Sequence, residues 1–291
     1  MFSSDSIILK NKKIGFIGAG NMTQHILEPL LKDNILKSDQ IFVSNRSASK
    51  LQKLKDKLNI ISCNSNEELL EKSDIIILSV KPQDLYEALE PVLAYFEPRH
   101  EVISLAAGAS LKSLSKLLPK VSLLSRVMLS TAVKIKQSAI AYDFMKNGQF
   151  AQSEDDGAFN VKALFSPLGK LFFLKGDQAF RAFTVGSGSG VALVYELMIY
   201  WQGWLKDYGI TEKMAEQITQ QSFLAASKMA INEEQSIEDL QQAVTSTKGI
   251  TIEALDAMRA SNLEGQLHHA FEQARLKDVK LANLKTIDNT K

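Results

Sequence analysis

The feature that most constrains this chain is a glycine-rich turn, Gly18-Ala19-Gly20-Asn21-Met22, set directly after the apolar run IGFI and directly before the amphipathic stretch NMTQHILEPLLK. A strand, a tight turn of the GxGxx kind and a helix in immediate succession open a βαβ unit whose helix N-terminus receives a phosphate. The chain keeps that rhythm as far as Asp177. Further apolar runs end at Ser44, Cys63, Val80, Ala106 and Met128, and between them lie SASKLQKLKDKL, NEELLEK, PQDLYEALEPVLAYF and SLKSLSKLL, with apolar residues three and four apart. Most of the runs are continuously apolar, as strands covered on both faces must be. The pattern predicts an α/β fold with a Rossmann-type doubly wound sheet. Two more strands are expected at SAIAYDF and LFFL, with the segment from Asn147 to Asn160 as a loop entering a helix.

After Asp177 the strand signal stops, so residues 1–177 are expected to form the dinucleotide-binding domain and residues 178–291 an all-α second domain. Its first long helix, about Ser189 to Lys206, is apolar on nearly all sides and must be buried on more than one face. A helical domain this small does not cover such a helix alone, which predicts a homodimer or higher homo-oligomer. Thr211 reads as the N-cap of the next helix, a last helix starts near Leu263, and the tail KTIDNTK is expected to fray. Lys+Arg number 34 against 33 Asp+Glu, a net charge of +1, which argues against a charge-driven binder of nucleic acid or anionic membrane. One cysteine, Cys63, and 4 His argue against an internal disulfide and a Cys/His metal cage, so no metal is expected and a reducing cytoplasm fits best. The first ten residues lack the basic start and cleavage site of a secretory signal, and no apolar run approaches the roughly 18 residues of a membrane span.

Gly18 permits the tight turn and Gly20 the close approach of a pyrophosphate, while Thr23 stands where a third small residue is usual. At the end of the second strand the sequence is Ser44-Asn45-Arg46-Ser47, with no acid to accept from ribose hydroxyls. A guanidinium among hydroxyl and amide groups suits a phosphate monoester, which predicts NADP(H) in preference to NAD(H). The same residue types also make a polar loop capped by Ser47. The lysines at 50, 53, 55 and 57 read as a solvated helix face. Because ligands of open α/β sheets lie at the carboxyl ends of the strands, Ser79-Val80-Lys81-Pro82, Ala106-Ala107-Gly108 and the stretch after Arg126 are further candidates. Lys81 either faces the cofactor or caps the sheet edge. In the helical half, Gly186 to Gly190 enters the apolar helix, and Val244 to Thr251 puts hydroxyls and free N–H groups at a later helix start. That start suits a small carboxylate, or is a plain Ser/Thr cap. Met128, Met198, Met214 and Met229 read as core filling, Cys63 as a buried small residue, and the four histidines as surface or helix-face residues.

The segments GFIGAGNM, SVKPQ, ISLAAG, RVM, SGSG and AVTS followed by GIT resemble pyrroline-5-carboxylate reductase, in order and at similar spacing, from about Lys13 to Lys280. The resemblance implies a Rossmann domain followed by an all-α dimerisation domain, with the active site between them. It implies reduction of 1-pyrroline-5-carboxylate to proline with NAD(P)H. By position, Gly18 to Met22, Ser44 to Ser47, Asn66, Ser79 to Pro82 and Ala106 to Gly108 would hold the dinucleotide. Ser246, Lys248, Gly249, Ile250 and Thr251 would form the substrate loop, with Thr251 as the proton donor. The chain departs from the family where RVMLSTA stands for RVMPNTP, SGSGVAL for SGSGPAY and TSTKGIT for TSPGGTT. Lys248 in place of a glycine strengthens carboxylate binding, admits a different imine or blocks the site. Three readings therefore accompany the leading one. They are a reductase of another cyclic imine, a non-catalytic NADP-binding sensor or assembly protein, and a β-hydroxyacid dehydrogenase. The last is disfavoured because its catalytic lysine has no counterpart in Val191 to Glu196.

Overall fold

Successive side chains of a strand point to opposite sheet faces, so a strand apolar at every position is buried on both. The computed structural model describes residues 8–283, and the tail KTIDNTK, expected to fray, lies outside them. The strands are β1 (Ile14–Ile17), β2 (Ile41–Ser44), β3 (Ile61–Ser62), β4 (Ile75–Leu78), β5 (Glu101–Ser104), β6 (Leu123–Met128), β7 (Ser138–Lys146), β8 (Gln149–Phe150) and β9 (Gly169–Phe173). They form one sheet in the order β3-β2-β1-β4-β5-β6-β7-β8, with β9 paired to β7. Strands β1 to β6 are parallel, β7 is antiparallel to β6, and β9 is parallel to β7. Ile14, Phe16, Ile75 and Ile77 belong to the core on one face, and Ile17, Ile76 and Leu78 to the core on the other.

The covering helices are α1 (Asn21–Lys32), α2 (Ala48–Leu58), α3 (Asn66–Lys72), α4 (Leu85–Leu89), α5 (Leu111–Leu117), α6 (Phe159–Phe165) and α7 (Asp177–Phe183). Beyond them come α8 (Gly190–Asp207), α9 (Glu212–Asn232), α10 (Ile237–Ala243), α11 (Ile250–Ala260) and α12 (Leu263–Asn283). The chain runs outward from β1 to β2 and β3, then returns to β4 on the other side of β1. That reversal leaves a crevice beyond the carboxyl ends of β1 and β4.

Several expectations are corrected. The single helix expected over 82–96 is split into a 3-10 turn at Pro82–Asp84, α4, and 3-10 structure at Glu90–Tyr95, because Pro91 lacks the N–H that would continue it. The loop expected from Asn147 contains β8, folded back on β7 through Asn147 (φ 51°) and Gly148 (φ 77°), a hairpin turn with two left-handed residues. Thr211 precedes α9 but its side chain caps nothing. His100 is buried rather than on the surface, its Nδ1 accepting from the Glu97 amide and its Nε2 meeting the Leu70 carbonyl, each at 3.0 Å. Met214 and Met229 are exposed rather than core residues, whereas Met128 and Cys63 are buried. Burial pushes the Cys63 thiol up to about 11.

The chain divides into two compact units, one of residues 1–189 with 274–291 and the other of Gly190–Gln273. The break thus falls after the expected boundary at Asp177. The reason is Arg126 within β6. It pairs with Asp143 at 2.8 Å and with Asp177 at 2.5 Å, and stacks 4.1 Å from the Phe180 ring, so α7 is held to the sheet. A π-helical turn, Thr184–Gly188, then leads to α8. Within the second unit α8 and α9 pack together, with Trp201 edge-on to Phe223. Leu205, Ala215 and Thr219 are buried there, but Tyr195, Tyr200, Trp201, Trp204 and Tyr208 are exposed. The helical stretch Asp177–Asp207, π turn included, is long and apolar enough to cross a membrane by length and composition, although the sequence shows no continuous apolar stretch of that size.

Candidate functional site

The crevice is a cavity of about 490 Å³ at the crossover, and its walls include Gly18, Gly20, Ser44 to Ser47, Asn66, Ser79, Val80 and Lys81. The backbone explains the first two. Gly18 has φ +115°, and a Cβ there would meet the Ser79 carbonyl oxygen at 2.6 Å, so no other residue fits without displacement. A Cβ on Gly20 would meet nothing within 4 Å, which leaves open space above the start of α1. Neither a side-chain cap nor a first-turn acid occupies that start, so its N–H groups and positive dipole end face the crevice unopposed. Thr23, in the position of the usual third small residue, is fully buried and useful. Its hydroxyl donates to the Gly18 carbonyl at 2.7 Å and lies 2.9 Å from Ser79 Oγ, tying the turn to the end of β4.

The β2 end is ordered by its own polar groups. Asn45 Oδ1 accepts from the Ala19 amide at 3.0 Å, and its Nδ2 donates to the Ser47 carbonyl at 3.0 Å. Ser44 Oγ donates to Asn66 Oδ1 at 2.6 Å, and Asn66 Nδ2 donates to the Ala88 carbonyl at 2.9 Å. Ser47 precedes α2 without capping it; its hydroxyl lies 3.1 Å from Ser49 Oγ. The first-turn N–H groups of α2 thus have no side-chain cap beside Arg46. The Arg46 guanidinium is exposed, with Nη1 3.5 Å from both carboxylate oxygens of Glu87.

The cavity does not include every expected residue. Ala19, Asn21, Met22 and Pro82 adjoin it in sequence but are not among its walls, and Ala106, Ala107 and Gly108 lie beyond it at the end of β5. Conversely, Lys50, Asn64, Ser65, Asp84, Glu87 and Ala88 line it and were not expected. Lys50, Lys53, Lys55 and Lys57 are all exposed, as a solvated face requires, and Lys50, one turn into α2 from Ser47, also lines the crevice. Lys57 in the same row pairs with Glu28 at 2.5 Å. No group of acids, His and Cys that could hold a metal occurs among the described residues.

In the second unit, Ser246 to Gly249 form a turn in which the Gly249 amide donates to the Ser246 carbonyl at 3.0 Å, immediately before α11. No side chain caps α11, so the plain Ser/Thr cap is not what the hydroxyls form. Ser246, Lys248, Ile250 and Thr251 are exposed. Lys248 is absent from the residues with left-handed backbone, so its replacement of a glycine costs no strain here.

The molecule matches known proteins along nearly its whole length. A family model described as pyrroline-5-carboxylate reductase dimerisation matches residues 177–281, and one described as NADP oxidoreductase, coenzyme F420-dependent, matches residues 13–108. The pyrroline-5-carboxylate reductase of Pasteurella multocida is 32% identical over 272 residues, covering 91% of this chain and 94% of that protein. Among solved structures, a pyrroline-5-carboxylate reductase from Coxiella burnetii is 28% identical with a TM-score of 0.79, over 93% of this chain and 98% of that one. The pyrroline carboxylate reductase of Plasmodium falciparum, solved with NADP bound, shares the fold at a TM-score of 0.80 and 21% identity, over 94% and 98% of the two chains. With a relative above 30% identity spanned almost end to end, and with Gly18, Gly20 and the acid-free β2 end lining one crevice, this chain belongs to the pyrroline-5-carboxylate reductase family.

Proposed function

We propose that this protein is an oxidoreductase that reduces the C=N bond of 1-pyrroline-5-carboxylate to give proline, with NADPH as the reductant. One observation carries the cofactor assignment. The crevice combines an unopposed helix start beside Gly20 with a β2 end that holds Arg46, Ser47 and Lys50 and no acid. In this reading the start of α1 holds the pyrophosphate, and Arg46, Ser47 and Lys50 hold a 2′-phosphate. Asn66 and Ser44 fix the floor beside them through their mutual bond. NADPH, when bound, supplies a hydride.

The rest of the chemistry falls to the loop before α11. The Gly249, Ile250 and Thr251 amides receive the substrate carboxylate at the uncapped helix start, and Lys248 adds a cation beside it. In this reading Thr251 Oγ1 accepts a hydrogen bond from the N–H of the iminium and donates one to the nitrogen lone pair that hydride transfer creates. An iminium nitrogen already carries its proton, so orientation and one hydrogen bond suffice and no strong general acid is needed. The exposed aromatic face of α8 is covered by a second copy of the chain, in keeping with the dimerisation family that matches this region. That cover also accounts for the apolar run Asp177–Asp207 without a membrane.

The test is a steady-state assay at the nicotinamide absorbance band with pyrroline-5-carboxylate, larger cyclic imines, and a 3-hydroxy acid with NADP⁺. The expected result is oxidation with the five-membered imine, faster with NADPH than with NADH, and loss of that preference in Arg46→Ala. Dinucleotide binding with no turnover on any imine would contradict the proposal.

A further inference from the structure

The crevice carries opposed charges, and their placement bears on which dinucleotide it accepts. Arg46, Lys50 and Lys81 face it, but so do Asp84 and Glu87. Glu87 lies on α4, the element after β4, and reaches across to the β2 end. There its two oxygens stand equally far, 3.5 Å, from Arg46 Nη1. Among the described residues Lys50 has no ion-pair partner of this kind.

We infer that Glu87 is a specificity-determining residue that works in both directions. It competes with a 2′-phosphate for Arg46, and it supplies the carboxylate that the β2 end lacks for the hydroxyls of an unphosphorylated ribose. The inference rests on the assignment of Arg46 to the 2′-phosphate. Its physical basis is that a dianion seated on Arg46 must take the guanidinium from Glu87 and then sit near that carboxylate as a like charge. An unphosphorylated ribose leaves the Arg46–Glu87 pair in place and offers hydroxyl donors to it, the role an acid at the end of β2 commonly has. The chain consequently accepts both dinucleotides with a moderated preference, and Lys50 keeps the balance on the phosphorylated side. Because Arg46 and Glu87 side chains are 78% and 65% exposed, the effect is modest and screened by salt.

The experiment is calorimetric titration of the full chain with two fragments, 2′,5′-ADP and 5′-AMP, at low and high salt, for the parent, Glu87→Gln and Arg46→Ala. Glu87→Gln is expected to bind 2′,5′-ADP roughly three- to five-fold tighter and 5′-AMP about two-fold weaker, the gain shrinking at high salt. Arg46→Ala is expected to weaken 2′,5′-ADP roughly ten-fold and leave 5′-AMP nearly unchanged. If Arg46→Ala behaves so and Glu87→Gln changes neither fragment, the inference about Glu87 is overturned while the phosphate assignment stands. If Arg46→Ala leaves 2′,5′-ADP binding unchanged, the phosphate assignment falls and takes the inference with it. Unfolding midpoints of both variants, expected to match the parent because the side chains are exposed, separate a charge effect from a folding one.

Discussion

In the first compact unit Ile75, Ile76, Ile77 and Leu78 are at most 1% exposed, whereas in the second Tyr195, Trp204 and Tyr208 are 59%, 61% and 74% exposed. Both stretches are apolar, and the difference lies in what surrounds them. A parallel strand is flanked by its neighbours and by crossover helices of the same chain, so its burial is complete within one copy. Helix α8 has α9 against one side, and among the described residues its Tyr195, Tyr200, Trp204 and Tyr208 stay exposed on the others. The dinucleotide half is self-sufficient, and the helical half leaves an apolar face that the proposed association would finish.

The largest expected effect breaks that contrast at its weaker side. Trp201→Glu with Trp204→Glu places two charges on the exposed face of α8. Aromatic anchors of this kind are worth about 2 kcal/mol or more each, so light scattering should show monomers at concentrations where the parent is expected to be a dimer. Binding of 2′,5′-ADP to the first unit should persist. Loss of that binding together with the dimer would show that the halves are not independent.

The next effect probes the self-sufficient half. Gly18→Val forces a side chain against the Ser79 carbonyl at a left-handed backbone position, which should cost roughly 3 kcal/mol in chemical unfolding and abolish dinucleotide binding. Gly20→Ala, open on all sides, should keep the stability and lose the binding, which separates the fold's need for glycine from the ligand's.

A comparable effect is conditional on pH. Glu101, at the opposite end of the sheet, is pushed up to about 7 by burial, although Asn160 donates to it at 2.5 Å. The folded state therefore holds this proton more tightly than the unfolded chain does. Its contribution is complete below the ordinary carboxylate range and is lost as pH rises through about 7. Glu101→Gln should stabilise the protein by roughly 3 kcal/mol at pH 8 and change nothing at about pH 4, as read by denaturant titration. Equal gains at both pH values would refute the assignment.

The smallest of these effects is in the second unit. Thr251→Val removes one hydroxyl from an exposed helix start and should lower kcat roughly ten-fold with the unfolding midpoint unchanged. Unchanged turnover and substrate affinity would remove Thr251 from the mechanism.

Much of this was legible in the residues. The strand runs and the GxGxx turn announce themselves because parallel strands need apolar residues at every position and the turn at Gly18 admits no Cβ. The Asn147-Gly148 hairpin is equally written in the sequence, although the acidic segment after it gives the stretch the look of a loop. Lys50 and Glu87 were not legible, because their place in the crevice depends on the rotation of α2 and on how far Pro91 lets α4 extend. The burial of His100 is not legible for a similar reason: its ring meets the Leu70 carbonyl of α3, thirty residues away.

The most direct measurement follows the hydrogen itself. NADPH carrying deuterium at the transferable position of the nicotinamide ring is incubated with the protein and pyrroline-5-carboxylate, and the product is analysed by mass spectrometry. The account predicts proline bearing one deuterium on the carbon that was doubly bonded to nitrogen. Unlabelled proline, or intact NADPH with no proline, would contradict it.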